Sequence, residues 1–129
     1  MKSRPTPIRA GTKARKLYDR LHLGWRAGAI DSWYYGRRSP TDPTVVWQID
    51  GVEHDCEDLA GVAAAIDVAF SRAGIADATF GSSWCGYRSL HVEYADGSRL
   101  TERYDGAANH VVREHDTAGR GTVPAEVAA

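Results

Sequence analysis

Apolar residues recur at two spacings along the chain, and the longer spacing predicts helices. Leu17, Leu21 and Trp25 lie four residues apart, which places them on one face of an α-helix. Thr12 precedes this stripe and suits the N-cap, because its hydroxyl can accept a hydrogen bond from an early backbone N–H. Gly28 suits the end of the helix. The pattern therefore predicts a first helix between Thr12 and Gly28.

A second helix is predicted over residues 57–73. Its apolar stripe repeats every three or four residues and comprises Leu59, Val62, Ala63, Ile66, Ala69, Phe70 and Ala73. Asp55 suits the N-cap of this helix, and Gly74 suits the left-handed position past its end.

The shorter spacing, in which apolar and polar residues alternate, predicts strands. Residues 32–37 and 44–50 form the first two, and Asp50-Gly51 has the composition of a two-residue hairpin turn that leads into a third strand over 52–54. The stretch GSSWCG, residues 81–86, is predicted to be a loop because a glycine stands at each end.

A second hairpin is predicted over residues 87–104. A three-residue turn, Ala95-Asp96-Gly97, places Val92 opposite Leu100 and keeps the apolar side chains of both strands on one face. A short strand near residues 110–113 follows.

These elements predict an α+β fold, a single domain with a mainly antiparallel β-sheet and two α-helices in the order α-β-β-β-α-β-β-β. Residues 12–116 form the predicted domain. Residues 1–11 are expected to be a disordered basic arm and residues 117–129 a disordered tail, because neither segment has an apolar pattern.

The composition indicates a soluble protein, since 43% of the residues are hydrophobic and 26% are charged. No apolar run is long enough to span a bilayer, and no apolar segment follows the basic N-terminus, so neither membrane association nor secretion is expected. The two cysteines, Cys56 and Cys85, form no C-x-x-C pair and are expected to be reduced thiols in the cytoplasm. No phosphate-binding glycine motif is present, and no cofactor is expected.

The net charge of −1 conceals an uneven distribution along the chain. Residues 1–40 carry a charge of +8, whereas residues 41–129 carry −9. This division predicts an acidic partner for the first third of the chain. The alternative is that the basic segment packs on the acidic body of the same chain, or on that of a second copy in a homodimer.

Two segments carry residue types used in catalysis or metal binding. The stretch HDCED, residues 54–58, holds metal-ligand types, and His91, Glu93, His110 and His115 are further candidates, but no spacing typical of a zinc site occurs. In GSSWCG, Cys85 or Ser83 could be a nucleophile with His91, His110 or His54 as its base, although no known nucleophile signature matches. A metal- or thiol-dependent enzyme is therefore the remote alternative.

Basic and aromatic residues cluster in the first third of the chain and indicate a binding surface. The candidate partner-binding residues are Arg15, Lys16, Arg20, Tyr34, Arg37 and Arg38. Cations for phosphates and an exposed aromatic for stacking would suit nucleic acid, which is the first alternative. The net charge of −1 and the absence of a nucleic-acid-binding motif argue against it.

A protein partner is the favoured prediction. Aromatic residues and arginine are the types enriched at interface hot spots, and the chain has four Trp and six Tyr. The sequence therefore predicts a small cytosolic, non-enzymatic binding protein that acts on a macromolecular partner. An inhibitor, an immunity factor or an anti-defence accessory factor, including one carried by a phage, would fit this description.

Overall fold

The computed structural model describes residues 11–84 and 86–117, together with the backbone of residues 121–124. Two helices and eight strands are present: α1 (Lys13–Arg26), β1 (Trp33–Arg37), β2 (Val45–Ile49), β3 (Val52–Asp55), α2 (Leu59–Arg72), β4 (Ile75–Trp84), β5 (Tyr87–Tyr94), β6 (Arg99–Asp105), β7 (His110–Thr117) and β8 (Gly121–Pro124). All strand pairs are antiparallel. The predicted α+β class is therefore confirmed. The chain divides into two compact units, Met1–Phe70 and Ser71–Ala129.

The first unit holds α1 and a three-stranded sheet in the order β1-β2-β3. Its core is formed by Leu17, Leu21, Leu23, Ile30, Val45, Val46, Trp47, Ile49, Val62, Ile66, Ala69 and Phe70. The predicted hairpin turn at Asp50-Gly51 is confirmed, because Ile49 pairs with Val52 and both turn residues have positive φ. The Asp50 carboxylate also accepts hydrogen bonds from the backbone N–H groups of Asp31 and Ser32.

Helix α1 begins as the sequence predicts, since Thr12 Oγ1 accepts a hydrogen bond from Arg15 N at 3.1 Å. The prediction that Trp25 belongs to the buried stripe of α1 is wrong. Trp25 is 48% exposed, and its neighbour Gly24 is buried instead. A Cβ at position 24 would lie 2.6 Å from Ile30 Cδ1 and 2.9 Å from Phe70 Cε1. Glycine therefore lets α1 pack closely on Ile30 and Phe70 at this turn, and the exposed Trp25 ring stacks on His22 instead.

Helix α2 begins at Leu59, two residues later than predicted. The N-cap is Asp58 rather than Asp55, because Asp58 Oδ1 accepts a hydrogen bond from Gly61 N at 3.0 Å. The Asp55 carboxylate accepts from Glu57 N in the turn that precedes the helix. The predicted left-handed residue past its end is confirmed, with Gly74 at φ +73°.

The second unit contains a five-stranded sheet in the order β4-β5-β6-β7-β8. The predicted register is confirmed, since Val92 pairs with Leu100 and Tyr94 N donates to Ser98 O across the three-residue turn. Gly97 takes the left-handed conformation at φ +88°. Leu90, Val92 and Leu100 are buried, and the alternate residues of β5 from His91 onward are exposed.

Three segments of the second unit differ from the sequence prediction. Strand β4 was not predicted, and it includes Gly81–Trp84 of the segment expected to be a loop; two register shifts interrupt its pairing with β5 and hide the alternation. Strand β7 runs on to Thr117, and the backbone of Gly121–Pro124 forms β8 in the segment predicted to be a tail. The rest of the predicted arm and tail, apart from Gly11, lies outside the described residues, as does Cys85. The domain limits stay a prediction.

No helix in the described part of the chain is both long enough and apolar enough to cross a membrane.

Candidate partner-binding site

Strand β1 separates the aromatic residues of the segment WYYGRRSP onto two faces. Tyr35 pairs with Trp47, and their ring centroids lie 4.4 Å apart. Trp33 makes an edge contact with Tyr18 of α1, at 4.8 Å between ring centroids. Successive side chains of a strand point to opposite faces, so Tyr34 projects away from α1. Tyr34 is 46% exposed.

The six predicted partner-binding residues consequently fall into two groups on opposite sides of the three-stranded sheet. Arg15, Lys16 and Arg20 belong to α1, on the side of Trp33. Tyr34 and the loop residue Arg38 lie on the other side, whereas Arg37, the last residue of β1, alternates with Tyr34 and shares the face of Trp33 and Tyr35. The sequence placed these six residues on one surface, and the structure does not bring the two groups together.

Two of the α1 cations are already paired with acidic side chains. Arg15 lies 3.3 Å from the Asp19 carboxylate and covers the Tyr18 ring. Arg20 lies 3.0 Å from Asp67 of α2. Lys16 is exposed and makes no ion pair with a described residue. Two of the three predicted partner-binding cations of α1 are therefore balanced within the chain.

Arg38 is the centre of an ion-pair network that sequence reasoning did not find. Its Nε and Nη2 donate to the two carboxylate oxygens of Glu53 at 2.9 and 2.6 Å, which is the strong two-bond geometry of arginine with a carboxylate. Its Nη1 donates to Asp42 Oδ2 at 2.9 Å. The hydrogen bonds with Glu53, and then with Asp42, raise the pKa of Arg38 well above its usual range. Those from Arg38 lower the pKa of Glu53.

Asp42 stabilises the β1–β2 loop through hydrogen bonds within the loop. Hydrogen bonds from the Thr44 side chain, then from the Thr44 backbone N–H and from Arg38, lower the pKa of Asp42 to about 2. Asp42 N donates to Ser39 Oγ at 2.9 Å. The backbone N–H of each residue also donates a hydrogen bond to the carbonyl oxygen of the other. The loop is thus held in one conformation by its own polar groups and by strand β3.

The Tyr34 ring is also fixed in place. Its hydroxyl donates to the Arg37 carbonyl oxygen at 2.8 Å, and the ring crosses Gly36. A Cβ at position 36 would lie 2.5 Å from the Tyr34 hydroxyl oxygen. Glycine at this position is therefore required for the position of the ring, which presents an exposed aromatic face at little further cost in side-chain entropy.

A depression of about 400 Å³ lies beside this ring, and we call it the Tyr34 pocket. Its lining residues are Tyr34, Arg37, Arg38, Ser39, Pro40 and Gln48. Arg37 is exposed and makes no ion pair with a described residue, in contrast to Arg38. The pocket therefore offers an aromatic ring, an amide and a hydroxyl beside the fixed side chain of Arg38.

The positions of Gln48 and Glu53 beside Tyr34 could have been predicted from the sequence. The two-residue turn at Asp50-Gly51 fixes the register of β2 with β3 and so places Gln48 opposite Glu53. Tyr34 is the partner of Gln48 on the other side. The row Tyr34–Gln48–Glu53 follows from that one turn, once β1 is paired with β2.

The residues of the stretch HDCED cap the start of α2 and accept a hydrogen bond from a buried tryptophan. Asp58 caps the helix, and Cys56 O accepts a hydrogen bond from Trp47 Nε1 at 3.2 Å. His54 Nδ1 lies 3.8 Å from Asp58 Oδ2, and its Nε2 is buried without a hydrogen-bond partner in the described part of the chain. Over residues 11–84 and 86–117, no three His, Cys, Asp or Glu side chains converge as a metal site requires.

The candidate nucleophile segment lies at the end of the first hairpin of the five-stranded sheet. Ser83 pairs with Arg88 in β4 and β5. His91 lies in a different row, where it lines a polar depression of about 310 Å³ together with Asp77, Thr79, Glu93, Arg99 and Thr101. Ser89 Oγ is buried without a described partner and borders Gly81 together with His91 Nε2. Ser83 and His91 are thus not register neighbours, as a nucleophile and its base would be expected to be.

Comparison with known protein families, with curated proteins and with solved structures finds no match for this chain.

Proposed function

We propose that the chain is a small non-enzymatic binding protein of the cytoplasm that engages another protein through the Tyr34 pocket. The observation that carries this proposal is the exposed ring of Tyr34, which is fixed in position beside an ordered loop. The Tyr34 hydroxyl donates to the Arg37 carbonyl oxygen, and Arg38 holds the loop through two carboxylates. Tyrosine and arginine are residue types that dominate the energetics of protein interfaces.

The rigidity of the surface supports the same proposal. Binding costs less conformational entropy when the loop and the aromatic ring already hold their bound positions. The loop from Arg38 to Thr44 is fastened by Glu53, and the Tyr34 ring is fastened by the Arg37 carbonyl group. An inhibitor or an immunity factor, which must bind tightly with a small surface, benefits from this kind of preorganisation.

The same contacts count against nucleic acid as the partner. A protein that binds the phosphate backbone neutralises several phosphates with Lys and Arg side chains. Arg15, Arg20 and Arg38 are each paired with a carboxylate of the chain, and those carboxylates would repel a phosphate that approached the same arginine. Nucleic-acid binding is therefore the competing outcome of the experiment below.

Site-specific photo-crosslinking tests the proposal. The full chain is produced in its native cell with a photoreactive phenylalanine derivative in place of Tyr34, and a matched protein carries it in place of Val68. Val68 is a suitable control because it is 55% exposed and lies on α2, remote from the β1–β2 loop in sequence.

We expect one protein to be crosslinked from position 34 and not from position 68. Crosslinks from position 34 to nucleic acid, or identical products from both positions, would refute the proposal.

A further inference from the structure

Strand β1 is the least protected of the sheet edges in the described part of the chain. The edge strands are β1 and β3 in the first sheet and β4 and β8 in the second. Edges expose backbone N–H and C=O groups, and proteins usually protect them with charged side chains, proline or bulges. Strand β3 contains Glu53, His54 and Asp55, two register shifts interrupt β4, and β8 ends in Pro124. Strand β1 has none of these devices over residues 33–36 and keeps one register with β2 throughout.

The hydrogen bonds at the two ends of β1 show which of its backbone groups point away from β2. Arg38 N donates to Thr44 O at 2.7 Å, and Ser32 O accepts a hydrogen bond at 2.9 Å from the first residue of the β2–β3 turn. In an antiparallel pair, residues that bond to the neighbouring strand alternate with residues whose N–H and C=O point the other way. The N–H groups of Trp33 and Arg37 therefore point out from the edge. Neither donates a hydrogen bond to a described residue outside the sheet.

A polypeptide strand has the chemistry that fits this edge. Each outward residue presents one N–H donor and one C=O acceptor, and successive outward residues of a strand lie about 7 Å apart. A phosphate or a carboxylate accepts a hydrogen bond from Trp33 N but has no proton to donate to Trp33 O. An extended backbone supplies both the acceptor and the donor at the same spacing.

We infer that an extended segment of the partner protein adds to the edge of β1 as an antiparallel strand, bound through the backbone groups of Trp33 and Arg37. This inference rests on the proposed function and names the way in which the partner is bound. Antiparallel pairing is the slightly more stable arrangement per residue. One side chain of the added strand comes opposite Tyr34, at about 4.5–5.5 Å between Cβ atoms, and so reaches the exposed ring.

The two faces of β1 determine which side chains the added strand carries. On one face it meets Trp33, whose ring contacts Tyr18 of α1. On the other face it meets Tyr34, whose ring is fastened over Gly36. Aromatic residues pair favourably with aromatic and β-branched residues of a neighbouring strand. The segment is therefore expected to carry apolar residues at two consecutive positions, opposite Trp33 and Tyr34.

Selection of linear peptides from a displayed random library tests the inference. The immobilised baits are the full chain and its Arg37→Ala and Arg37→Pro variants. Both variants lose the Arg37 side chain, but alanine keeps the backbone N–H and proline removes it. Proline is tolerated on an edge strand where the N–H faces away from the sheet, so Arg37→Pro should keep the fold, which thermal unfolding checks.

We expect peptides with two consecutive apolar residues. They should bind Arg37→Pro at least about tenfold more weakly than Arg37→Ala, because a carbonyl group of the peptide loses its donor. A second measurement uses the unaltered protein and selected peptides that are methylated at one backbone nitrogen at a time. Methylation should weaken binding at every second position and leave the intervening positions unaffected, because only alternate N–H groups of the peptide face β1.

Three outcomes would overturn the inference: the recovery of no peptide, equal affinity for Arg37→Ala and Arg37→Pro, or a methylation pattern without a period of two. If Arg37→Pro does not fold, the methylation series on the unaltered protein decides alone. A dimer of the full chain that Arg37→Pro dissociates would also overturn the inference, because a second copy would then occupy the edge. None of these outcomes decides the proposed function, because photo-crosslinking from position 34 registers a protein partner whichever way its backbone is bound.

Discussion

The two sheets use their charged residues in different ways. On the three-stranded sheet, Arg38 joins the β1–β2 loop to Glu53 on β3 through two hydrogen bonds. On the five-stranded sheet, Glu93 and Arg99 are register partners, yet they form no ion pair within the described part of the chain. The ion pairs of the first sheet fasten a loop to a strand, whereas the ion pair of the second, Arg113 with Glu102 at 3.3 Å, joins two register partners of adjacent strands.

The apolar residues of the two sheets differ as well. Strand β2 is buried on both faces, since Val45, Val46 and Trp47 are consecutive and each is at most 3% exposed. In β5, Leu90 and Val92 are buried and His91 between them is exposed. The sheet that carries the Tyr34 pocket is therefore the one with a more completely buried central strand. A site that depends on fixed geometry stands on the more rigid support.

The largest effect on stability is expected when Trp47 is replaced. Trp47→Ala should lower the free energy of unfolding by about 3–5 kcal/mol, because it removes a buried aromatic side chain and its hydrogen bond to Cys56 O. Val92→Ala, in the central part of the other sheet, should cost less, about 1–3 kcal/mol. Urea denaturation measures both changes. Equal losses would contradict the difference drawn between the central strands.

A smaller effect is expected at the turn that sets the register of the pocket. Asp50→Gly keeps the positive φ but removes the acceptor for Asp31 N and Ser32 N, and it should cost about 1 kcal/mol. Asp50→Asn keeps an acceptor oxygen and tolerates positive φ, so it should cost less. Thermal unfolding ranks the two variants. A larger loss for Asn than for Gly would show that these contacts to residues 31 and 32 contribute nothing.

The smallest effect is confined to the β1–β2 loop and depends on pH. The pKa of Asp42 is depressed from 3.8 to about 2, so its hydrogen bonds are complete above pH 3.8 and are lost as the pH falls through about 2. Titration of the Asp42 carboxyl carbon by NMR measures this value. Thr44→Val should raise it more than Arg38→Gln, because the Thr44 side chain is the largest cause. A larger rise in the pKa of Asp42 for Arg38→Gln than for Thr44→Val would contradict this prediction and make Arg38 the main cause of the depressed pKa.

Local patterns explain what the sequence could and could not predict. The apolar stripe of α2 could be predicted because it depends on residues three or four positions apart. The pairing of Val92 with Leu100 could be predicted because it depends on one short turn. Strand β4 was not, because two register shifts break its alternation. The packing role of Gly24 could not be predicted either, because Phe70, which approaches it together with Ile30, is far from it in the sequence.

The predicted site shows the same limit. Tyr34, Arg37 and Arg38 were predicted from residue type and from their place in one segment, and all three border one pocket. The partners that distinguish the two arginines, Asp42 and Glu53, come from the loop and from another strand. Charge counted along the chain could not show that Arg15, Arg20 and Arg38 are balanced, because balance depends on which carboxylates the fold brings within reach.

The salt dependence of nucleic-acid binding tests most directly the claim that these arginines are committed to carboxylates. In a gel-shift series over salt concentration, with single-stranded and duplex probes, we expect no retained complex, or a weak one whose salt slope is unchanged by Arg15→Ala, Arg20→Ala and Arg38→Ala. A retained complex whose slope falls by about one unit with each of these substitutions would contradict the account, because each arginine would then be binding a phosphate.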